Sequence, residues 1–389
     1  MNLFIPFCFL SKGSISKRFF HFIYSKSYMT NDTNSHPLQG LGASTTNMKT
    51  PLIGKTVDEI KTLAVELGMP AFTGKQIADW IYRKRIFSIE EMTNLSAKNR
   101  ETLSQTYEVG RSLPSQETAS IDGTKKYLFT TPDNNFIETV YIPDDDRHTL
   151  CVSSQVGCKM NCLFCMTGKQ GFTSNLTAAE ILNQILSVPE ADKLTNLVFM
   201  GMGEPMDNLP NLLRSLEILT ADYGYAWSPR RVTVSTIGVL PKMKIFLEHS
   251  NCHLAVSMHS PFPDERLKIM PVEKPFPIVD ILNELKKHDF SHQRRVSFEY
   301  IMFDGFNDSM RHAVEMVRLL KGIDCRVNLI RFHAIPNVDL KTSKEDKMVF
   351  FRDYLTSNGI VTTIRKSRGE DIFAACGMLS TLEKQKKDN

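Results

Sequence analysis

Apolar side chains return every three or four positions between Thr56 and Glu108. Val57, Ile60, Leu63, Ala64 and Leu67 share one face before Gly68-Met69-Pro70 stops the run, which predicts a first helix. A second is expected from Gly74 to Lys84, with Ile77, Trp80 and Ile81 on one side, and a third from Ala97 to Thr106. Joined by polar turns, they make a small accessory domain. The period then shortens to two. Lys125–Phe129 and Phe136–Ile142 alternate across a turn at Pro132–Asn135, the pattern of a β-hairpin.

From Thr149 onward, β-branched apolar runs alternate with helical ones. Strands are expected at Leu150–Ser153, Leu197–Met200, Arg231–Thr236, His253–Met258, Val296–Met302, Arg326–Ile330 and Val361–Arg365. Helices are expected near Ala178–Leu186, Leu209–Leu219, Pro241–Glu248, Ile278–His288, Met310–Leu320 and Glu345–Ser357. Such alternation means βα units around a parallel sheet, an α/β fold. No Gly-x-Gly-x-x-Gly turn follows the first strand, so a barrel-like sheet is expected and not a dinucleotide fold.

The length of 389 residues suggests two or three domains. With 42% apolar and 23% charged residues, the composition is that of an ordinary globular protein. The formal charge of +4 is unevenly placed: residues 1–47 hold Lys12, Lys17, Arg18 and Lys26 against Asp32. The body is thus nearly neutral, and any nucleic-acid surface on it must be a local patch. Met1–Leu10 is apolar but far too short to span a bilayer, and residues 11–28 have the acid-free look of a transit peptide. Residues 31–47 read as a disordered tail, and a start at Met29 or Met48 would remove most of this extension. No later segment has the character of a membrane span, so the body is expected to be soluble. The eight cysteines are Cys8, Cys151, Cys158, Cys162, Cys165, Cys252, Cys325 and Cys376. Four fall within fifteen residues, which points to metal or redox chemistry in a reducing compartment.

Cys158-Lys-Met-Asn-Cys162-Leu-Phe-Cys165 follows the first strand of the sheet, where active-site loops belong in such architectures. Three thiolates at this spacing can hold three irons of a four-iron cluster and leave the fourth open to a small molecule. The competing reading is a structural zinc or a closed four-cysteine cluster completed by Cys151. Cys151 lies seven residues upstream, wide for a knuckle, and no second Cys-x-x-Cys follows. Gly201-Met-Gly203-Glu204-Pro205 succeeds an apolar strand; its glycines allow close backbone approach and its carboxylate can pair with an ammonium. Ser235, and Ser257-Met258-His259, stand at the ends of later strands on the same rim. Cys252 and Cys325 adjoin apolar strands and read as small buried hydrophobes.

In these motifs the chain resembles the radical S-adenosylmethionine (SAM) superfamily. Within it, the chain resembles the RlmN-type adenosine C2-methyltransferases of 23S rRNA and tRNA. The likeness runs from about Lys49 to Leu382. It includes Glu138-Thr-Val-Tyr-Ile-Pro, Cys151-Val-Ser-Ser-Gln-Val-Gly-Cys158 through Cys165, Gly201–Pro205, Val234-Ser-Thr, Val256-Ser-Met-His259 and Arg368-Gly-Glu-Asp-Ile-Phe-Ala-Ala-Cys376-Gly.

The resemblance implies a partial (β/α)6 barrel at 144–369 and a helical, RNA-positioning domain at 48–110. A linker with the hairpin would occupy 111–143, and a catalytic-cysteine loop and tail 370–389. It further implies one [4Fe–4S] cluster on Cys158, Cys162 and Cys165, and SAM held by Gly203, Glu204, Ser235, Ser257, Met258 and His259. Where many members have Asn-Pro after an aromatic residue, this chain has Phe332-His333-Ala334, and His333 is expected to offer a ring nitrogen to the adenine.

In the family, one SAM methylates a cysteine and a second supplies a 5′-deoxyadenosyl radical that activates that methyl group. By motif, Cys376 is the methyl carrier, Cys151 the resolving thiol and Glu138 the proton acceptor. The implied partners are 23S rRNA near the peptidyl-transferase centre, the tRNA adenosine 3′ of the anticodon, and an electron donor such as flavodoxin. A cytoplasmic monomer is expected. Phosphate contacts are sought at Arg83-Lys84-Arg85, Arg230-Arg231, Arg294-Arg295 and Lys384–Lys387. Glu370 and Asp371 either orient the Cys376 loop or form a solvated turn. The rivals are a Cfr-type C8 methyltransferase and, from another class, a non-enzymatic RNA-binding protein with a structural metal.

Overall fold

A computed structural model describes residues 49–290 and 295–381; the N-terminal extension, Cys8, Arg294 and Lys384–Lys387 lie outside the described residues. After a two-residue strand β1 (Thr50–Pro51) come α1 (Val57–Glu66), α2 (Thr73–Tyr82) and α3 (Ala97–Thr106). Thr56 starts α1 with a capping box: its hydroxyl accepts from the Glu59 N–H, and the Glu59 carboxylate accepts from the Thr56 N–H. The α3 helix leads into β2 (Tyr107–Glu108), which pairs with β1 in parallel.

The main sheet begins with β3 (Gln116–Ala119), β4 (Lys125–Thr130) and β5 (Phe136–Asp144), all antiparallel. It continues through β6 (Arg147–Cys151). The cysteine-bearing loop then carries a short hairpin, β7 (Gln155–Gly157) and β8 (Phe172–Asn175), around α4 (Met166–Gln170). Next come α5 (Ala178–Ser187), β9 (Asn196–Phe199), α6 (Leu209–Thr220), β10 (Val232–Thr236), α7 (Leu240–His249) and β11 (His253–Ser257). The chain closes with α8 (Pro263–Ile269), α9 (Ile278–Leu285), β12 (Val296–Met302), α10 (Met310–Leu320), β13 (Cys325–Arg331), α11 (Glu345–Ser357) and β14 (Val361–Ile364).

From β6 and β9 to β14 seven strands run parallel, and each neighbours the next in chain order. Sequential order without a reversal is the winding of a barrel, and leaves no switch point of the dinucleotide type. The expected partial (β/α)6 architecture is therefore present, six helical crossovers followed by a seventh strand.

Two findings refine the sequence reading. The hairpin is more than a linker, because β3, β4 and β5 extend the barrel sheet beyond β6 to ten strands in all. Strand β3 has no apolar alternation and opens with the polar Gln116-Glu-Thr118, which suits an edge that must not recruit another chain. The three N-terminal helices share one hydrophobic cluster with the barrel, from Ile60 and Ile81 through Leu212 to Val327. Arg214 of α6 grips Glu59 at 2.6 Å, and the buried Tyr82 donates its hydroxyl to the Lys55 carbonyl.

Candidate active site

The loop after β6 turns back at Gly157, whose φ of +74° lies in the left-handed region. A side chain there would meet the Gly171 carbonyl oxygen at 1.8 Å, so only glycine fits. That turn lets the Cys158 N–H donate to the Gly171 carbonyl at 2.8 Å. The Leu163 N–H donates to Ile269 and the Met166 N–H to Gly377, so the loop is sewn to two other parts of the chain. Cys158, Cys162 and Cys165 are free thiols that line one cavity of about 150 Å³ at the carboxyl ends of the strands. Burial pushes the Cys158 thiol up to about 12 and raises Cys162 and Cys165 as well. Thiols so placed are protonated at neutral pH until a strong cation displaces the proton. Among the described residues no three Cys, His, Asp or Glu side chains close into the tight shell of a single ion. The three thiols line one cavity together with residues of several strand ends.

The same cavity is lined by Gly203, Glu204, Ser235, Ser257 and His259. Gly203 has φ +99° and passes so close to Gln155 that a Cβ would lie 2.5 Å from its side chain. Glu204 is buried. Its carboxylate accepts from Thr236 Oγ1 at 2.6 Å, from the Ile237 N–H at 2.9 Å and from the Met206 N–H at 3.0 Å. Burial nevertheless wins and lifts its pKa to about 7, the three donors offsetting only part of the cost. A ligand ammonium would restore the carboxylate. His259 Nδ1 accepts from the Ile301 N–H at 3.0 Å, which places the ring proton on Nε2. Burial drives its pKa down to about 3, so the ring is a neutral hydrogen-bond donor throughout the working range.

Two residues expected on this rim are placed elsewhere. Met258 is fully buried in the main hydrophobic cluster and does not line the cavity, because its side chain points away from the face that Ser257 presents. His333 does not line it either. Its Nδ1 lies 3.2 Å from Glu370 and its Nε2 lies 3.3 Å from Ser367 Oγ, so both ring nitrogens face the C-terminal segment.

A smaller cavity of about 70 Å³ adjoins the first and is lined by Cys151 and Cys376. Cys376 itself borders both cavities, as do Cys165, Met200, Arg365 and Gly377. Cys376 is exposed, whereas Cys151 is buried and its thiol is pushed up to about 12, with Arg365 working against the shift. Glu138 lines neither cavity. Its carboxylate meets Lys126 Nζ and the Ser380 N–H, both at 3.0 Å, so it faces the segment that carries Cys376. Arg365 is the residue the sequence reading missed. It directly follows β14, and the rule that chemistry gathers past strand ends could have found it.

The segment from Arg368 onward is fastened by side chains. Ser120 Oγ donates to Asp371 at 2.5 Å, Asp122 accepts from the Gly369 N–H at 2.9 Å, and Arg368 pairs with Asp144 at 2.6 Å. Thr167 Oγ1 donates to the Leu379 carbonyl at 2.7 Å, and Gln170 binds Thr381. Glu370 and Asp371 lie exposed in a turn, yet each makes a tie, Glu370 to His333 and Asp371 to Ser120, so they bear on the placement of this segment. Cys252 is buried and Cys325 half-buried, away from both cavities. Of the basic clusters, Arg83 binds the Asp222 carbonyl, Arg85 pairs with Asp192, and Arg231 stacks on Trp227 while donating to Thr195. Lys84 lies 3.5 Å over the ring of Trp80.

Comparison with known proteins agrees with this geometry. The sequence model of the Radical SAM superfamily matches residues 152–317, and that of the ribosomal RNA large subunit methyltransferase N-terminal domain matches residues 50–109. A probable dual-specificity RNA methyltransferase RlmN of Phocaeicola vulgatus is 63% identical over 339 residues, 87% of this chain and 97% of its own. The dual-specificity RNA methyltransferase RlmN of Alcanivorax borkumensis is 38% identical over 347 residues, 86% of this chain and 91% of its own. The crystal structure of a radical SAM methyltransferase from Sphaerobacter thermophilus superposes with a TM-score of 0.80 at 38% identity, covering 85% of this chain and 99% of that one. Among the described residues no helix is long and apolar enough to cross a membrane.

Proposed function

The chain belongs to the RlmN family of radical SAM RNA methyltransferases, and from that premise we propose that it methylates C2 of one adenosine in 23S rRNA and in tRNA, carrying the methyl group on Cys376. The observation that carries this reading is the pair of adjoining cavities: Cys376 borders both, facing Cys158, Cys162 and Cys165 in the first and Cys151 in the second. Adenine C2 has no lone pair with which to attack a sulfonium methyl, so simple displacement cannot methylate it. When bound, the cluster and SAM supply a methyl group and a 5′-deoxyadenosyl radical.

The chain's own residues take the following roles. Cys158, Cys162 and Cys165 hold one four-iron cluster. Glu204 pairs with the ammonium of SAM, His259 donates from Nε2, and Gly203, Ser235 and Ser257 bound the pocket. Met258 and His333 lie outside that shell. Cys376 would carry the methyl group as a thioether, one SAM being consumed to place it there and another to activate it. To free the product, the Cys151 thiol loses its proton, which passes to Glu138, whose carboxylate Lys126 holds. Its sulfur bonds to that of Cys376 as the Cys376 sulfur–methylene bond breaks; the methylene carbon keeps that electron pair and takes up a proton, and an external two-electron reductant reopens the disulfide. The N-terminal helices position the RNA, a flavodoxin-like protein supplies electrons, and the enzyme works as a cytoplasmic monomer.

The test is an anaerobic assay of reconstituted protein with SAM, reductant and unmodified 23S rRNA fragment or tRNA, read as nucleosides by mass spectrometry. The expected product is 2-methyladenosine, lost on Cys376→Ala. Formation of 8-methyladenosine alone would move the reaction to the Cfr-type outcome. Intact SAM and unmethylated RNA despite a full cluster would sink the enzyme reading.

A further inference from the structure

The two strand ends that face Glu204 are tied together by a side chain that belongs to none of the motifs. Arg266 of α8 is fully buried. Its Nε donates to the Met258 carbonyl at 3.0 Å, and one terminal nitrogen donates to the carbonyls of Ile237 at 2.8 Å and Ser257 at 3.0 Å. The other pairs with the buried Glu273, which also accepts from the Ile278 N–H. The Ile237 residue is gripped from both directions, since its N–H donates to Glu204 and its carbonyl accepts from Arg266. One guanidinium therefore sets the spacing between the ends of β10 and β11, which carry Ser235, Ser257 and His259.

Burying an ion pair costs more than burying apolar side chains of the same volume. Its presence calls for a task that neutral groups do not perform. The helix that carries Arg266 also touches the cysteine loop, since the Leu163 N–H donates to the Ile269 carbonyl at 2.9 Å.

We propose that Arg266 is a positioning residue: its fork holds the β10 and β11 ends in register for SAM. The inference rests on the reading that a cluster and SAM bind here. The fork is specific to arginine. A lysine ammonium keeps the charge but cannot reach carbonyls of two strands and Glu273 with the same planar geometry.

The experiment uses the full-length holoenzyme, reconstituted without oxygen, as wild type, Arg266→Lys, and the double variant Arg266→Gln with Glu273→Gln. The double change removes both charges, so no buried carboxylate is stranded if a single neutral variant fails to fold. Wild-type iron and sulfide content, and the change that SAM makes in the cluster's EPR spectrum, test the underlying reading; a wild type without them removes this inference along with it. The iron content of each variant is then measured, and SAM affinity by equilibrium dialysis. Arg266→Lys is expected to keep wild-type iron but bind SAM about tenfold more weakly, the equivalent of one charged hydrogen bond. The double variant is expected to keep its iron and to bind SAM at least as weakly. Wild-type SAM affinity in either variant overturns the role of the fork, and loss of iron along with SAM affinity in both shows a general structural role instead.

Discussion

The rim around Glu204 and the segment carrying Cys376 border one cavity, yet they are held in place by different means. Ser235 and Ser257 lie on parallel strands and are fixed by the sheet ladder, while Glu204 and His259 lie beyond strand ends and are anchored to its neighbouring backbone. The segment from Arg368 to Thr381 contains neither helix nor strand. It is pinned by single side-chain bonds to the β3–β4 turn, to Thr167, to Gln170 and to Glu138. A rim built into a sheet loses its geometry only when the sheet opens. A pinned segment can be loosened one bond at a time while the fold survives.

The largest expected effect is on the sheet-built side. Cys162→Ala should lower bound iron in reconstituted protein to background, with the circular dichroism of the fold unchanged. Iron at the wild-type level would break the assignment of this half of the cavity.

A smaller effect follows from Glu204, whose pKa rises from 4.5 to about 7 on burial. The folded chain binds this proton more tightly than the unfolded chain does. The stabilisation is thus complete below about pH 4.5 and is lost as pH climbs through about 7, a change on the order of 3 kcal/mol. Urea unfolding of the cluster-free protein at about pH 5 and about pH 8 should show that loss, and Glu204→Gln should remove it. An equal slope in the variant would assign the titration to another group.

The smallest effect sharpens the contrast on the pinned side. Thr167→Val strands the buried Leu379 carbonyl at a local cost of about 1–3 kcal/mol. Amide exchange should accelerate about tenfold between Gly377 and Thr381, with the strands unaffected. Equal acceleration in β12 would show that segment and sheet open together.

The same contrast explains what was legible in the sequence. Strand β12 and the helices α10 and α11 match their expected ranges end to end; in β12, Val296, Phe298 and Tyr300 alternate with Ser297 and Glu299, the period of a strand. Strand β3, the β7–β8 hairpin and α8 carry no such signature and were not expected. Helix α9 ends at Leu285, short of the expected His288, because its periodicity gives way to Lys286-Lys287-His288. In the site, the motif residues at strand ends gather as expected, Met258 and His333 apart. What could not be read are the ties between distant positions. Ser120 and Asp371 are 251 residues apart, and local periodicity contains nothing about such a meeting.

The bond from Thr167 to Leu379 spans 212 positions of the chain, and synthesis runs in one direction. At about 5–20 residues per second, the cysteine loop leaves the ribosome roughly 10–40 seconds before the segment that will cover it. The nascent protein thus passes through an interval in which Cys158, Cys162 and Cys165 have been made while Cys376 has not, and the segment can close over the loop only once Leu379 has emerged.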